Sequence, residues 1–315
     1  MSIADEIVKV TGVEVASRVL LAHLKALRPK QWIKNLLVFL PLLFAINQVW
    51  TPSNLAPLPD LVLRIVILFL AFCAVSSGVY LLNDLMDRKA DRLHPTKRTR
   101  PIASGQVMVP TAIILMGVLG LGGLAVTYLV HPILGAIGLM YLCINVAYCL
   151  GAKKVVLLDV IMVASGYVLR AGAGAVAVGV YPSPWLYVVT GAAALFIVLG
   201  RRYAEVRLAE RNGSQQRSVL DSYAGPFISQ LIGISATTAL VSYALYAVEA
   251  DNLPDNHTML LTVPFVAFGL FRYLYLLNTN PEAEAPEQLI SRDFPLLVSS
   301  LGWIMVSALV LFFNS

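Results

Sequence analysis

Charge is what this sequence is shortest of. Of its 315 residues only 13% are Asp, Glu, Lys or Arg, while 58% are hydrophobic. A water-exposed domain carries roughly 25% charged and about 45–50% apolar residues, so this chain cannot cover itself with a hydrated surface. Cysteine is scarce too: Cys73, Cys143 and Cys149 each sit in an apolar run. They form no C-x-x-C or other metal spacing, and an odd number gives no disulfide framework, so they read as buried, inert thiols. The first residues lack a compact apolar region followed by a small-residue cleavage site, which argues against a cleaved signal peptide. No tandem repeat is evident, and 1–315 reads as a single domain.

Long apolar runs are there in plenty. Nine predicted spans cover roughly 33–49, 60–82, 107–130, 132–150, 155–180, 184–200, 226–249, 258–277 and 294–313. Each is about the length needed to cross a hydrocarbon core of about 30 Å at 1.5 Å per residue. Backbone polar groups in lipid must be satisfied within the segment, so the spans are helices and the fold class is all-α, a polytopic membrane bundle. Pro41, Pro226 and Pro264 lie in or at the ends of spans, where neighbouring helices tolerate them.

Basic residues set the expected orientation. The N-terminal segment and alternate loops hold 20 of the 23 Lys and Arg, and the opposite loops hold none. That asymmetry predicts a plasma-membrane protein with a cytoplasmic N-terminus and basic loops, and a C-terminus outside. Residues 1–27 mix apolar and charged positions and read as either an interfacial helix or a flexible tail.

The chemistry concentrates in NDLMDRKADRLHPTKRTRPIASG, Asn83 to Gly105. On a helix Asn83, Asp84, Asp87 and Asp91 fall within an arc of about 100°, since offsets of three, four and seven return to one side. A carboxylate at the bilayer centre costs about 2.5–3.5 kcal/mol on insertion scales, so three in register require compensation even at the interface. A magnesium ion supplies it, taking carboxylate oxygens and sharing its remaining positions with water and substrate phosphates. Arg92, His94, Lys97, Arg98 and Arg100 follow, with Pro95 and Pro101 ending helical continuity. Acids for the metal and bases for phosphate suit a metal–diphosphate substrate. A solvated basic loop would explain the Lys and Arg but not the aspartates in register.

The pattern N-D-x-x-D-x-x-x-D followed by H-P-x-K-x-x-R-P-I-A-S-G resembles the first aspartate-rich motif of the UbiA-type membrane prenyltransferase superfamily. The resemblance implies nine transmembrane helices, a cytoplasmic-facing active-site cavity, and Mg2+ acting on an isoprenoid diphosphate. The superfamily's second acidic motif is not matched: GRRYAEVRLAERNGSQQRS has Arg201, Arg202, Tyr203 and Glu205 instead of an aspartate series. A cationic segment there suits additional phosphate groups. LRPKQWIKN (Leu27–Asn35), YCLGAKKVVLLD (Tyr148–Asp159) and GRRYAEVRLAER (Gly200–Arg211) are similar to the decaprenyl-phosphate phosphoribosyltransferase branch. That branch implies phosphoribosyl diphosphate and a polyprenyl phosphate lipid as partners, diphosphate as by-product, and a role in cell-wall arabinan precursor synthesis. No nucleic-acid partner is implied, and whether copies of the chain associate stays open.

The expected site therefore has Asn83, Asp84, Asp87 and Asp91 on the metal, the three aspartates being the catalytic set. Lys34, Lys97, Arg100, Lys153 and Arg202 are expected on phosphate, and Arg28 as an interfacial anchor. The resemblance brings Tyr148 and Lys153 to the diphosphate and adds Glu205. Asp159, a turn into span 5, is equally a substrate contact or half of an ion pair with a nearby Lys. Arg170, lying mid-span, must face a cavity or a partner. Two rival functions stay open: a prenyltransferase using a polyprenyl diphosphate and a small aromatic acceptor, and a lipid or small-molecule transporter.

Overall fold

The computed structural model describes residues 17–94, 96–181, 183–212, 222–223, 225–279, 289 and 292–313. Among them no strand forms; two isolated β-bridges, Ile46 with Trp50 and Thr51 with Asn54, are the extent of extended pairing. The helices are α1 (17–26), α2 (Leu40–Phe44), α3 (Leu58–Met86), α4 (Arg88–Leu93), α5 (Val109–Val130), α6 (Pro132–Leu150), α7 (Leu158–Val178), α8 (Pro184–Asn212), α9 (Pro226–Glu249), α10 (Val263–Thr279) and α11 (Phe294–Phe313). Eight of them, α3 and α5 to α11, are long and apolar enough to cross a membrane, α10 together with the 3-10 turn Thr258–Thr262 that leads into it. The protein is an all-helical, multi-pass membrane protein.

The first predicted span differs from expectation. Residues 33–49 do not make one long α-helix: Pro29–Phe39 winds as an 11-residue 3-10 helix and only Leu40–Phe44 is α-helical. Proline at 29 and 41 withholds two backbone donors, and Asn47 and Gln48 end the run in turns. Of the N-terminal segment 1–27, residues 1–16 lie outside the described residues. Residues 17–26 are helical, with Ala22 and Ala26 buried one turn apart while Leu20, Leu21 and Leu24 are exposed. An apolar face left outward on a helix with Arg18 and Lys25 has the pattern of an interfacial helix.

The chain divides into two compact units. The first combines residues 1–35 with 67–150. Its core joins Ala22 and Ala26 of α1 to Leu81 of α3, to Ile102 and Val107 of the α4–α5 loop, and to Ala112 of α5. α5 and α6 pack as an antiparallel hairpin in which a Cβ on Gly135 would meet Tyr128, and α5 approaches α3 as closely, since a Cβ on Gly123 would meet Val75. The outward face of α5 carries Ile114, Val118 and Leu121 at helical spacing, each at least half exposed, as a lipid-facing stripe requires. Cys73 and Cys149 are buried as expected, but Cys143 is exposed. It shares the outward side of α6 with Leu139 and Met140, since in a bilayer the outer face is also apolar.

The second unit combines residues 36–66 with 151–315. α7 packs on α8, α8 on α9, and α10 on α11. The run Ala171–Gly172–Ala173–Gly174–Ala175 on α7 is buried throughout, and Gly174 lies directly against the backbone carbonyl of Val38. α7 stops at Gly179, whose left-handed backbone (φ 78°) lets its N–H donate to Ala175 and Val176 carbonyls.

Candidate active site

In the first unit the acidic motif begins on the last turns of α3. Backbone bonding continues past Met86: Asp87 N donates to Asn83 O at 2.9 Å and Asp91 N to Asp87 O at 2.8 Å. The helical register therefore carries through to α4 and keeps Asp84 and Asp91 on one side. Both carboxylates are buried, with side-chain exposures of 2% and 6%. They converge on one cation. Arg100 Nη1 donates to Asp84 Oδ1 at 3.1 Å and to Asp91 Oδ2 at 2.8 Å.

Arg100 is brought there by a folded loop. His94 and Thr96 through Val107 are held by Arg98 N to His94 O, Ser104 N to Arg100 O and Val107 N to Pro101 O. Arg92 Nε clamps the carbonyl of Ala103 at 3.0 Å, and Ile102 and Ala103 are buried. Thr96 to Gly105 thus form a folded segment rather than a solvated tether.

Arg28 is the residue that sequence reasoning placed wrongly. Expected as an interfacial anchor, it donates from Nη2 to Asp84 Oδ1 at 2.5 Å, and its guanidinium carbon lies 5.1 Å from the centre of the Tyr80 ring. Its backbone is left-handed (φ 55°), and the following Pro29 disfavours the right-handed helical region. A left-handed backbone at a non-glycine residue leaves no mark in the sequence, which therefore carried no signal for this role.

The other expected members in this unit are partly buried. Asn83 accepts from Cys149 Sγ at 3.8 Å, and half-buried Asp87 occupies the α3–α4 junction. Lys34 precedes fully buried Asn35, whose Nδ2 donates to Cys73 Sγ and Ser76 Oγ at 3.3 Å each. Lys97 opens the 3-10 turn Lys97–Thr99, and Tyr148 lies in the last turn of α6. Among the described residues no group of three or more His, Cys, Asp or Glu stands close enough to hold a metal ion. The predicted three-aspartate cage is therefore not preformed; two carboxylates converge, and Arg100 lies between them. Two hard oxygen donors facing one cationic position still suit Mg2+, which takes one or two carboxylates and leaves its other positions to water and phosphate.

The second unit holds a separate polar cluster. Asp159 lies in the first turn of α7 and is fully buried. Both its oxygens are taken: Tyr223 donates to Oδ1 at 2.5 Å and Arg202 Nε to Oδ2 at 2.9 Å. The partner is thus an arginine on α8, where the ion-pair alternative had named a nearby lysine. Arg202 also donates from Nη1 to Glu205 Oε2 at 2.5 Å, and Arg201 Nε reaches Glu205 Oε1 at 3.2 Å. Tyr223, which nothing in its sequence surroundings singled out, accepts the Leu157 N–H at 2.8 Å. Leu157 is itself at positive φ (68°). Burial, and then the bond to Asp159, push the Tyr223 phenol above its ordinary range, so it stays a proton donor at neutral pH.

Lys153 is half-buried in the 3-10 turn Ala152–Lys154. Arg170 is buried within α7, donating to Gly166 O at 2.7 Å with its guanidinium 5.8 Å from the Tyr167 ring centre. The 213–221 part of the segment after α8 lies outside the described residues.

The model of the UbiA prenyltransferase family matches residues 38–301. The chain belongs to the UbiA prenyltransferase family. It is 35% identical over 301 residues to the decaprenyl-phosphate phosphoribosyltransferase of Mycolicibacterium smegmatis, covering 92% of each chain. Against the protein of that name from Mycobacterium tuberculosis it is 36% identical over 280 residues, 89% of this chain and 91% of the relative. Among solved structures it is similar to a UbiA homolog from Archaeoglobus fulgidus bound to GPP and Mg2+. The TM-score is 0.67 at 20% identity, covering 92% of this chain and 99% of that one. At that identity the likeness establishes the fold.

Proposed function

We propose that this chain transfers the 5-phosphoribosyl group of phosphoribosyl diphosphate to a polyprenyl phosphate such as decaprenyl phosphate, releasing diphosphate. The observation that carries the reading is similarity along about nine-tenths of the chain to proteins named for that reaction. Family membership favours an enzyme over the transporter that many spans would also permit. The cationic α8 segment, Arg201 and Arg202 where an acidic series would serve a prenyl diphosphate, favours a phosphate-rich donor over the prenyltransferase alternative.

Asp84 and Asp91 would hold Mg2+, with Asp87 and Asn83 as further oxygen donors. The ion, when bound, would neutralise charge building on the departing diphosphate. Arg28, Arg100 and Lys97 donate to phosphate oxygens, stabilising negative charge as the C1–O bond breaks and its electron pair leaves with diphosphate. A phosphate oxygen of the lipid attacks that carbon, and because this oxygen is already ionised at neutral pH no general base is required. Lys34 and Tyr148 in the first unit, and Lys153, Arg170, Arg202 and Glu205 in the second, are proposed substrate contacts. Asp159 is proposed to hold Arg202 in place instead of touching substrate. The loop basicity supports a plasma-membrane protein with its N-terminus and active site cytoplasmic, where a soluble anionic donor is available. The product would then feed arabinan precursor synthesis.

The test incubates the purified chain with Mg2+, phosphoribosyl diphosphate and polyprenyl phosphate, and looks for the lipid-linked sugar phosphate together with diphosphate. A parallel reaction supplies polyprenyl diphosphate and an aromatic acceptor. Prenylated product in the second reaction and none in the first would overturn the assignment.

A further inference from the structure

Asp84 and Asp91 are buried, whereas the side chains of Arg28 and Arg100, which neutralise them, are about a quarter exposed, at 26% and 25%. Of the four side chains, the two arginines are therefore the ones that solvent reaches. Among the described residues each spends one nitrogen on them, Nη2 of Arg28 and Nη1 of Arg100. A guanidinium carries five N–H donors in a rigid fork, so both keep donors for an incoming anion. Arg28 is not there by side-chain drift. Its left-handed backbone is fixed by Arg28 N donating to Lys25 O at 3.2 Å and Gln31 N donating to Arg28 O at 2.9 Å, while the Tyr80 face supports the guanidinium.

We propose that Arg28 and Arg100 are displaceable counter-ions. They neutralise Asp84 and Asp91 until a divalent cation arrives, then pass to the diphosphate, so that cation and diphosphate load together and each alone binds weakly. The inference rests on the metal–diphosphate reading of this site. Its physical basis is charge. A lone cation approaching the carboxylates meets Arg100 Nη1 on both oxygens and leaves two guanidiniums beside a dication. A lone diphosphate drawing the arginines away leaves two buried carboxylates facing one another and the anion. Together, each ligand supplies the partner that the other has displaced, with the arginine forks gripping phosphate oxygens. Such coupling is reciprocal: diphosphate must tighten Mg2+ by the same factor as Mg2+ tightens diphosphate.

Isothermal titration calorimetry of the full chain in detergent, with MgCl2 alone, inorganic pyrophosphate alone, and each in the presence of the other, measures the coupling. Wild type should show each ligand tightened by the other by about tenfold or more, within the range of ordinary coupling. Arg28→Ala should bind Mg2+ alone more tightly than wild type, because a competing cation has gone, while its coupling shrinks. Arg28→Lys keeps the charge without the fork, and should leave Mg2+ affinity near wild type with reduced coupling. It carries the test if the alanine variant does not fold. Unchanged coupling in either folded variant, or weaker binding of Mg2+ alone by Arg28→Ala, overturns the inference. Asp84→Asn and Asp91→Asn separate the two levels: if they bind Mg2+ and pyrophosphate like wild type, or if wild type binds neither ligand, the metal–diphosphate site itself falls and the inference with it.

Discussion

Replacing Asp159 with Asn tests whether that carboxylate is a tie between elements or a ligand for substrate. The side chain is fully buried and its oxygens are filled by Tyr223 and Arg202. Asn keeps the shape but presents one acceptor and one donor group, so either Arg202 Nε faces a donor or the Tyr223 proton loses its acceptor. Removing one partner of a buried ion pair costs about 3–5 kcal/mol. Because Arg202 retains Glu205, the lower end applies, about 3 kcal/mol. Tyr223→Phe removes a bond to a charged group, about 1.5–3 kcal/mol, and strips Leu157 N–H of its acceptor. The two changes act on one network, so the double variant should cost less than the sum of the singles by at least about 0.5 kcal/mol. The assay is unfolding in mixed micelles followed by tryptophan fluorescence, beside turnover on the same preparations. If Asp159→Asn keeps wild-type stability yet abolishes turnover, Asp159 contacts substrate and the positioning argument is wrong.

Asp84→Asn or Asp91→Asn should lower turnover at least about a hundredfold, as loss of preorganised charge at a reacting centre does; near-normal rates in membranes with normal expression would refute the metal role. Gly174→Ala should fail to accumulate in membranes, since its Cβ would overlap the Val38 carbonyl and crowd Pro41, and wild-type yield would disprove that approach. Arg272's hydrogen bond holds the Asp293 carboxyl below its ordinary range. A depressed carboxyl adds stability above its unfolded value, near about pH 4, and loses it as pH falls through the folded value. Asp293→Asn should therefore flatten the acid limb of thermal stability against pH. Asp293→Ala should also remove the cap on Leu296 N, costing about 1 kcal/mol at neutral pH.

The spans were legible because a bilayer demands uninterrupted apolar length, a property that local composition reports directly. The register of Asp84 and Asp91 was legible for a similar reason: helical spacing is local, and the backbone bonds across Met86 preserve it. The unusual winding of Pro29–Phe39 was not, because hydropathy registers how apolar a segment is and says nothing of how tightly it turns. Arg28 was misplaced and Tyr223 missed because their partners lie 56 and 64 residues away. Their roles depend on a left-handed backbone and on a loop returning to a helix start, neither of which has a spacing rule. Asp159 was ambiguous for the opposite reason. Its depth marked it as special, but depth alone does not separate a ligand from a strut.

Winding has a consequence for reach. A 3-10 helix climbs about 2.0 Å per residue against 1.5 Å for the α form. The 11 residues of Pro29–Phe39 therefore rise about 22 Å along their axis, where an α-helix of the same length would rise about 16 Å. Slenderness gives each residue of this segment more axial reach than it would have in the α-helices around it.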